Sequence, residues 1–206
     1  MATTLYLIRH GATEGNHEKR YKGSIDVPLS EEGIEQVRRT AEFIKAELQG
    51  ESLSAVYASP LSRALDSAAL IAAPYGLEPV VDNELRERHF GIWEGMTWAD
   101  INDKYPLEFR RWADNPLDHS PVGGESSREV RDRFVPAVEK IISRHADEKV
   151  AIVAHGGVNR VILCHVLGVP LEYMFRIEQD NAAVSIIVFH DKYPVAKLIN
   201  HAERVY

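Results

Sequence analysis

The sequence predicts an α/β domain built on a mostly parallel sheet, and three observations carry that prediction. Leu5-Tyr6-Leu7-Ile8 and Val150-Ala151-Ile152-Val153-Ala154 are uninterrupted apolar runs, the pattern of strands buried on both faces. Stretches with helical spacing separate the strand-like runs, so strand and helix alternate along the chain. Both runs also end in histidine followed by glycine, at His10-Gly11 and His155-Gly156. That places chemistry-bearing residues at strand ends, where open α/β sheets bind their ligands.

The elements follow in order. After the first strand, Gly11 and Gly15 allow backbone N–H groups to turn toward an anion. Ser30 caps a helix with Glu31 and Glu32 in its first turn. Its stripe is Ile34, Val37, Ala41, Ile44 and Leu48, and Gly50 closes it. A short strand over 55–58 breaks at Ser59-Pro60, and a small-residue helix runs from Ser62 through Arg63, Leu65, Ala69 and Ala72 to Gly76. Residues 79–81 form a third strand leading to Glu87. From Gly91 to Gly124 the composition shifts to three tryptophans, several prolines and short helical pieces, one capped by Thr97-x-x-Asp100. Residues 91–124 are therefore expected to be a compact insertion over one end of the sheet, within a single domain spanning 1–206.

Ser126-x-x-Glu129 is a capping box for a long helix. Val130, Phe134, Val138, Ile141 and His145 mark its buried face, and Pro136 is a kink position. After the strand over 150–154, a helix is expected from Val158 to Leu167, stopped by Gly168 and Pro170. Strands over 183–189 and 195–200 pair through a turn containing Asp191 and Pro194. No internal repeat, low-complexity segment or linker interrupts this order.

Composition narrows the function classes. The chain has 206 residues, 45% hydrophobic and 27% charged, as in an ordinary globular protein with a real core. A formal charge of −7 argues against nucleic-acid and anionic-membrane partners. It does not exclude an anionic small substrate, because a local arginine cluster outweighs the global field. The single cysteine, Cys164, cannot form an internal disulfide. With no basic leader before the first strand and no apolar run of membrane length, the expected location is cytoplasmic.

Carboxyl ends of parallel strands share one sheet edge, so Arg9, His10, Arg63 and His155 can converge there. Arginine donates a planar fork to two oxygens at once and suits a tetrahedral dianion. Phosphoryl transfer is mostly positioning and charge neutralisation, which such a cluster supplies. Taken one at a time, each residue has a blander reading as a surface ion-pair arginine or a strand-end histidine; together they point to an anion site. No metal site is expected, because the nine histidines form no His-Glu-x-x-His and no Cys-x-x-Cys is present. Neighbouring arginines would also repel a cation. Cys164 lies in a helix, and neither a Gly-x-Ser-x-Gly elbow nor a Walker loop occurs.

Leu7-Ile8-Arg9-His10-Gly11-x-Thr13-x-x-Asn16 and Asp26-Val27-Pro28-Leu29-Ser30-x-x-Gly33 resemble the opening of the histidine phosphatase superfamily, which includes the cofactor-dependent phosphoglycerate mutases. Ala58-Ser59-Pro60-Leu61-x-Arg63-Ala64, Leu85-x-Glu87-x-x-Phe90-Gly91-x-Trp93-Glu94-Gly95, Gly123-Gly124-Glu125-Ser126 and Ala154-His155-Gly156-Gly157 continue the pattern in order over nearly the whole chain. The resemblance implies a three-layer α/β/α sandwich with a phosphate pocket at the strand ends. It implies that His10 is the nucleophile that becomes phosphorylated, and that Glu87 protonates the leaving alkoxide and later activates water. It implies that Arg9, Arg63 and His155 hold the transferred group, without a cofactor. Asn16, Lys22, Gly23 and Gly156 are the expected substrate contacts.

Elementary chemistry agrees, since neutral imidazole is a competent nucleophile near pH 7 and an alkoxide needs an acid within reach. An alternative for Glu87 is that Arg86, Arg88 and His89 simply pair with it. The expected activity is hydrolysis of a small phosphomonoester, with α-ribazole 5′-phosphate as a candidate. The compact insertion resembles the phosphatase branch. A phosphoglycerate mutase and a non-catalytic phospho-ligand-binding module are the competing readings. Ala12 and Asn159, the latter read in the turn after His155-Gly156-Gly157, depart from the family pattern and are expected to bear on substrate preference. Trp93, Trp98, Arg110, Arg111 and Trp112 form either a basic aromatic wall for the leaving group or the core of the insertion.

Overall fold

The computed structural model describes residues 2–203. Six strands form one sheet in the order β3-β2-β4-β1-β5-β6. They are β1 (Ala2–Arg9), β2 (Ala55–Ala58), β3 (Val80–Val81), β4 (Lys149–Ala154), β5 (Val184–His190) and β6 (Pro194–His201). Strands β3, β2, β4 and β1 are parallel, whereas β5 and β6 extend the sheet beyond β1 in antiparallel fashion.

Helices cover both faces, giving the three-layer α/β/α sandwich. Successive side chains of a strand point to opposite faces, and the core divides accordingly. Leu5, Leu7, Val150 and Ile152 pack with Val130, Phe134 and Val138 of α5 (Ser127–Arg144) and Val158 and Ile162 of α6 (Gly156–Leu167). Tyr6, Ile8, Ala151 and Val153 pack with Val37 and Ile44 of α1 (Glu31–Glu47) and Ala64 and Ala68 of α2 (Ser62–Ala72). Each fully buried aliphatic or aromatic side chain stabilises the sandwich by roughly 1.5–3 kcal/mol.

Sequence signals for the helix ends hold. Ser30 Oγ accepts the Gly33 N–H, while Ser126 and Glu129 satisfy each other's backbone donors in a complete capping box. Helix α5 runs through Pro136. The first turn of α1 presses on the loop after β1 so closely that a Cβ on Gly11 would lie 2.3 Å from the Gly33 carbonyl oxygen. Two facing glycines therefore bring α1 against the loop that carries His10.

Helix α6 is longer than the sequence indicates. It starts at Gly156, two residues before Val158, with extended His155 as its N-cap residue. A Cβ on Gly157 would lie 2.5 Å from Glu87 Oε1, whereas one on Gly156 would meet Arg9 and Arg160 only at 3.4 Å, an ordinary contact. Asn159 consequently lies within α6 and not in a turn, and it is completely buried.

Between Gly91 and Gly124, α3 (Trp98–Lys104) and α4 (Pro106–Asp114) pack on a small cluster of their own, centred on Trp93, Ile101 and Trp112. This favours the core reading of the tryptophans. Trp98 is half exposed, and Arg111 pairs with Glu108 on the surface.

Candidate active site

The parallel register brings the two histidines together. Arg9 pairs with Ala154 across β1 and β4, so the next residues, His10 and His155, lie side by side with ring centroids 5.0 Å apart. Strand β2 ends one strand further over, which places Ser59 beside β4 through its N–H bond to Val153 and Arg63 in the first turn of α2. A cavity of about 490 Å³ opens at this edge.

Of the residues expected from the sequence, Arg9, His10, Arg63 and Glu87 line the cavity, as do Asn16, Lys22, Gly23 and Gly156. His155 does not line it. It is fully buried behind His10, with Nε2 bonded to Ser59 Oγ at 2.8 Å and Nδ1 without a partner. Ala12 is buried under α1, and neither it nor Asn159 reaches the cavity. The tryptophans, Arg110 and Arg111 are also absent from its wall; the aromatic surface comes from Tyr21, Phe90 and Phe175.

His10 Nδ1 lies 2.7 Å from the Gly11 carbonyl oxygen. A carbonyl can only accept, so Nδ1 carries the proton and Nε2 keeps its lone pair. Burial, then the charges of Arg9 and Arg63, push His10 well below the ordinary imidazole range, which keeps it neutral.

Arg9 and Arg63 donate to backbone carbonyls. Arg63 donates to the carbonyls of Ile25 and Gly23 at 2.7 and 2.8 Å, and Arg9 donates to that of Gln179 while its Nε has no partner. Gly23, expected to contact substrate, thus also orients an arginine. Lys22 donates to Thr13 Oγ1 and the Glu14 carbonyl.

Glu87 does not pair with its basic neighbours. Its Oε1 accepts the Arg88 N–H at 2.8 Å, and its Oε2 accepts the Gly157 N–H at the start of α6 at 2.9 Å. Arg88 instead reaches the Glu125 carbonyl and Ser127, and Arg86 reaches Glu125. Arg133, from α5, holds the loop in place. Its N–H groups bond the carbonyls of Glu84, Arg86 and Glu87 and both carboxylate oxygens of Glu125.

Arg160 and Phe175 line the cavity and were not singled out from the sequence. Arg160 bonds the carbonyls of Ile177 and Gly156 at 2.7 and 3.2 Å, and its guanidinium lies 6.0 Å from the centre of the Phe175 ring. Its spacing of four from Gly156 is a usable signal once α6 is known to begin there. Phe175 sits in a 3-10 segment (Leu171–Arg176) far from any motif, and nothing local marks it. Among the described residues, no group of three or more His, Cys, Asp or Glu side chains is placed to hold a metal ion, and no helix is long and apolar enough to cross a membrane.

A mixed α/β sheet that gathers paired histidines, carbonyl-anchored arginines and a carboxylate at one edge defines a phosphoryl-transfer type of site. The chain belongs to the histidine phosphatase superfamily (branch 1), whose family model matches residues 5–202. It is 35% identical over 196 residues to phosphoserine phosphatase 1 of Hydrogenobacter thermophilus, covering 95% of this chain and 91% of that protein. It is 34% identical to glucosyl-3-phosphoglycerate phosphatase of Mycolicibacterium vanbaalenii, covering 82% and 76%. The crystal structure of the alpha-ribazole phosphatase from Shigella flexneri superposes with a TM-score of 0.86 at 27% identity, covering 96% of each chain. The protein is a histidine-phosphatase-type phosphatase.

Proposed function

We propose that the protein hydrolyses small phosphomonoesters through a phosphohistidine formed on His10, within a single domain whose 91–124 segment is an insertion. The observation that carries this is the hydrogen bond from His10 Nδ1 to the Gly11 carbonyl, which reserves Nε2 as a neutral nucleophile beside Arg9 and Arg63. Nε2 attacks phosphorus, the ester P–O bond breaks, and Glu87 gives its proton to the departing alkoxide. Glu87 then takes a proton from water, the resulting hydroxide attacks phosphorus, and the P–N bond breaks to release phosphate and free His10. Arg9, Arg63, His155 and the Gly156 backbone hold the group in transit, and Asn16 and Lys22 contact the substrate.

The cavity carries more positive charge than one phosphoryl group needs, since Lys19, Arg20 and Arg160 join Lys22 at its wall. A leaving group with its own carboxylate fits that surplus. The relatives named for phosphoserine and glucosyl-3-phosphoglycerate act, by those names, on esters of this kind. α-Ribazole 5′-phosphate, with a flat aromatic base, would use Tyr21, Phe90 and Phe175 instead. A cytoplasmic setting suits buried, unpaired Cys164.

The test is phosphate release from a panel of phosphoserine, glucosyl-3-phosphoglycerate, α-ribazole 5′-phosphate and 3-phosphoglycerate. Release from at least one, with no 2-phosphoglycerate formed from the last, supports the proposal. Conversion of 3-phosphoglycerate into 2-phosphoglycerate without net release makes the protein a mutase, and inertness toward all four speaks for a binding module.

A further inference from the structure

His155 and Ser59 are both completely buried, and Ser59 Oγ has two neighbours. It accepts the Leu61 N–H at 3.3 Å and lies 2.8 Å from His155 Nε2. A hydroxyl has one proton to give and lone pairs to accept with. The Leu61 N–H can only donate, so the hydroxyl proton is free to go to Nε2. The opposite assignment, with Nε2–H donating to Ser59, would bury the serine proton without an acceptor and leave a bare lone pair on Nδ1. That assignment leaves two buried groups unmet where the first leaves only the Nδ1 proton, and each unmet buried group costs about 1–3 kcal/mol.

We propose that the Ser59 hydroxyl fixes the proton of His155 on Nδ1, making that nitrogen a donor ready for the phosphoryl oxygens on neighbouring His10. The proposal rests on the phosphatase reading for the identity of the acceptor, but the proton's position is a property of the free protein. Ser59 is thereby a positioning residue that acts through His155. Nδ1 is buried and has no protein partner, on a ring packed edge-on against His10. A donor left open beside the nucleophile and two arginines is suited to a transition-state oxygen. The tautomer matters because the ring holds only one proton. Burial, followed by His10, Arg63 and Arg9, pushes His155 well below the usual imidazole range, so the doubly protonated form does not supply a donor on both sides.

The experiment is a long-range 1H–15N correlation spectrum of protein labelled at its histidine rings, with His155 assigned by its loss in His155→Asn. At neutral pH the wild-type signal should be that of an Nδ1–H tautomer. Ser59→Ala should release the ring into a mixture of tautomers and slow single-turnover phosphorylation of His10 by roughly 10–10³-fold, the upper end being the loss of one preorganised donor. Ser59→Thr, which keeps the hydroxyl, should restore the tautomer and the rate together. A wild-type signal with the proton on Nε2 overturns the proposal, whatever the variants do. So does a Ser59→Ala protein that keeps the Nδ1–H signal and the full rate. If wild type shows the Nδ1–H tautomer but never forms phosphohistidine, the phosphatase reading fails and the assignment of the proton stands.

Discussion

The carboxylate of Glu87 and the backbone of Gly157 are fitted to each other: Oε2 accepts the Gly157 N–H at 2.9 Å, and a Cβ on Gly157 would lie 2.5 Å from Oε1. Gly157→Ala should therefore displace the Glu87 carboxylate without unfolding α6, since alanine is the better helix former by about 1 kcal/mol. Positioned proton transfer is worth about 10²–10⁴-fold, and an alkyl leaving group needs it where p-nitrophenolate does not. The rate of His10 phosphorylation by an alkyl phosphate should fall by that factor in Gly157→Ala and in Glu87→Gln, and far less with p-nitrophenyl phosphate. Equal losses for both esters would mean that Glu87 does not act as an acid.

His10→Ala should abolish turnover and leave the fold intact. Wild type quenched during turnover should carry an acid-labile, base-stable phosphate on His10. Ordinary activity in the alanine variant would sink the mechanism.

Acid should destabilise the protein in a way that His10 reports. Its pKa in the folded state is pushed well below the ordinary imidazole value of about 6.5, so below that pH the unfolded chain binds a proton that the folded one refuses. The stability due to neutral His10 is present above pH 6.5 and is lost as pH falls. The slope is up to about 1.4 kcal/mol per pH unit for each such group. Urea unfolding at pH 7.5 and pH 5 should show a smaller difference for His10→Ala than for wild type; an equal difference refutes the buried, neutral state.

The sheet and both histidines were legible because β1 and β4 are local apolar runs, each followed directly by its histidine. The start of α6 was not, because glycine is a poor helix former by propensity and the bond from the Gly157 N–H to Glu87 is a tertiary contact that no local pattern marks. The fate of the tryptophans was equally hidden. Trp93 and Trp112 meet edge to face at 5.7 Å, a contact made by folding 19 residues of chain back on itself. Glu87 illustrates the same limit from the other side: three basic neighbours in sequence turn away from it, and its partners are backbone N–H groups.

Arg160 should read the leaving group. Arg160→Gln is expected to raise KM for phosphoserine about tenfold or more, the scale of one lost charge-assisted hydrogen bond of about 1.5–3 kcal/mol. The same change should leave the KM for a neutral alkyl phosphate nearly unchanged. Parallel losses on both esters would place Arg160 with the phosphoryl clamp.

Activity should survive prolonged EDTA treatment, because the cavity is already cationic at Arg9, Arg63 and Lys22. Vanadate should inhibit as a mimic of five-coordinate phosphorus. Loss of activity on chelation, restored by a divalent ion, would overturn the arginine-clamp picture.

Arg133 commits its N–H groups to three carbonyls of the 84–87 loop and to Glu125, which closes the segment that opens at Gly91. Glu87 is thus tied to α5 by contacts that lie on either side of residues 91–124. None of these five bonds involves a residue of the 91–124 segment. The loop that carries Glu87 and the tryptophan cluster of residues 91–124 are in this way held by separate sets of contacts, one polar and fixed to α5, the other apolar.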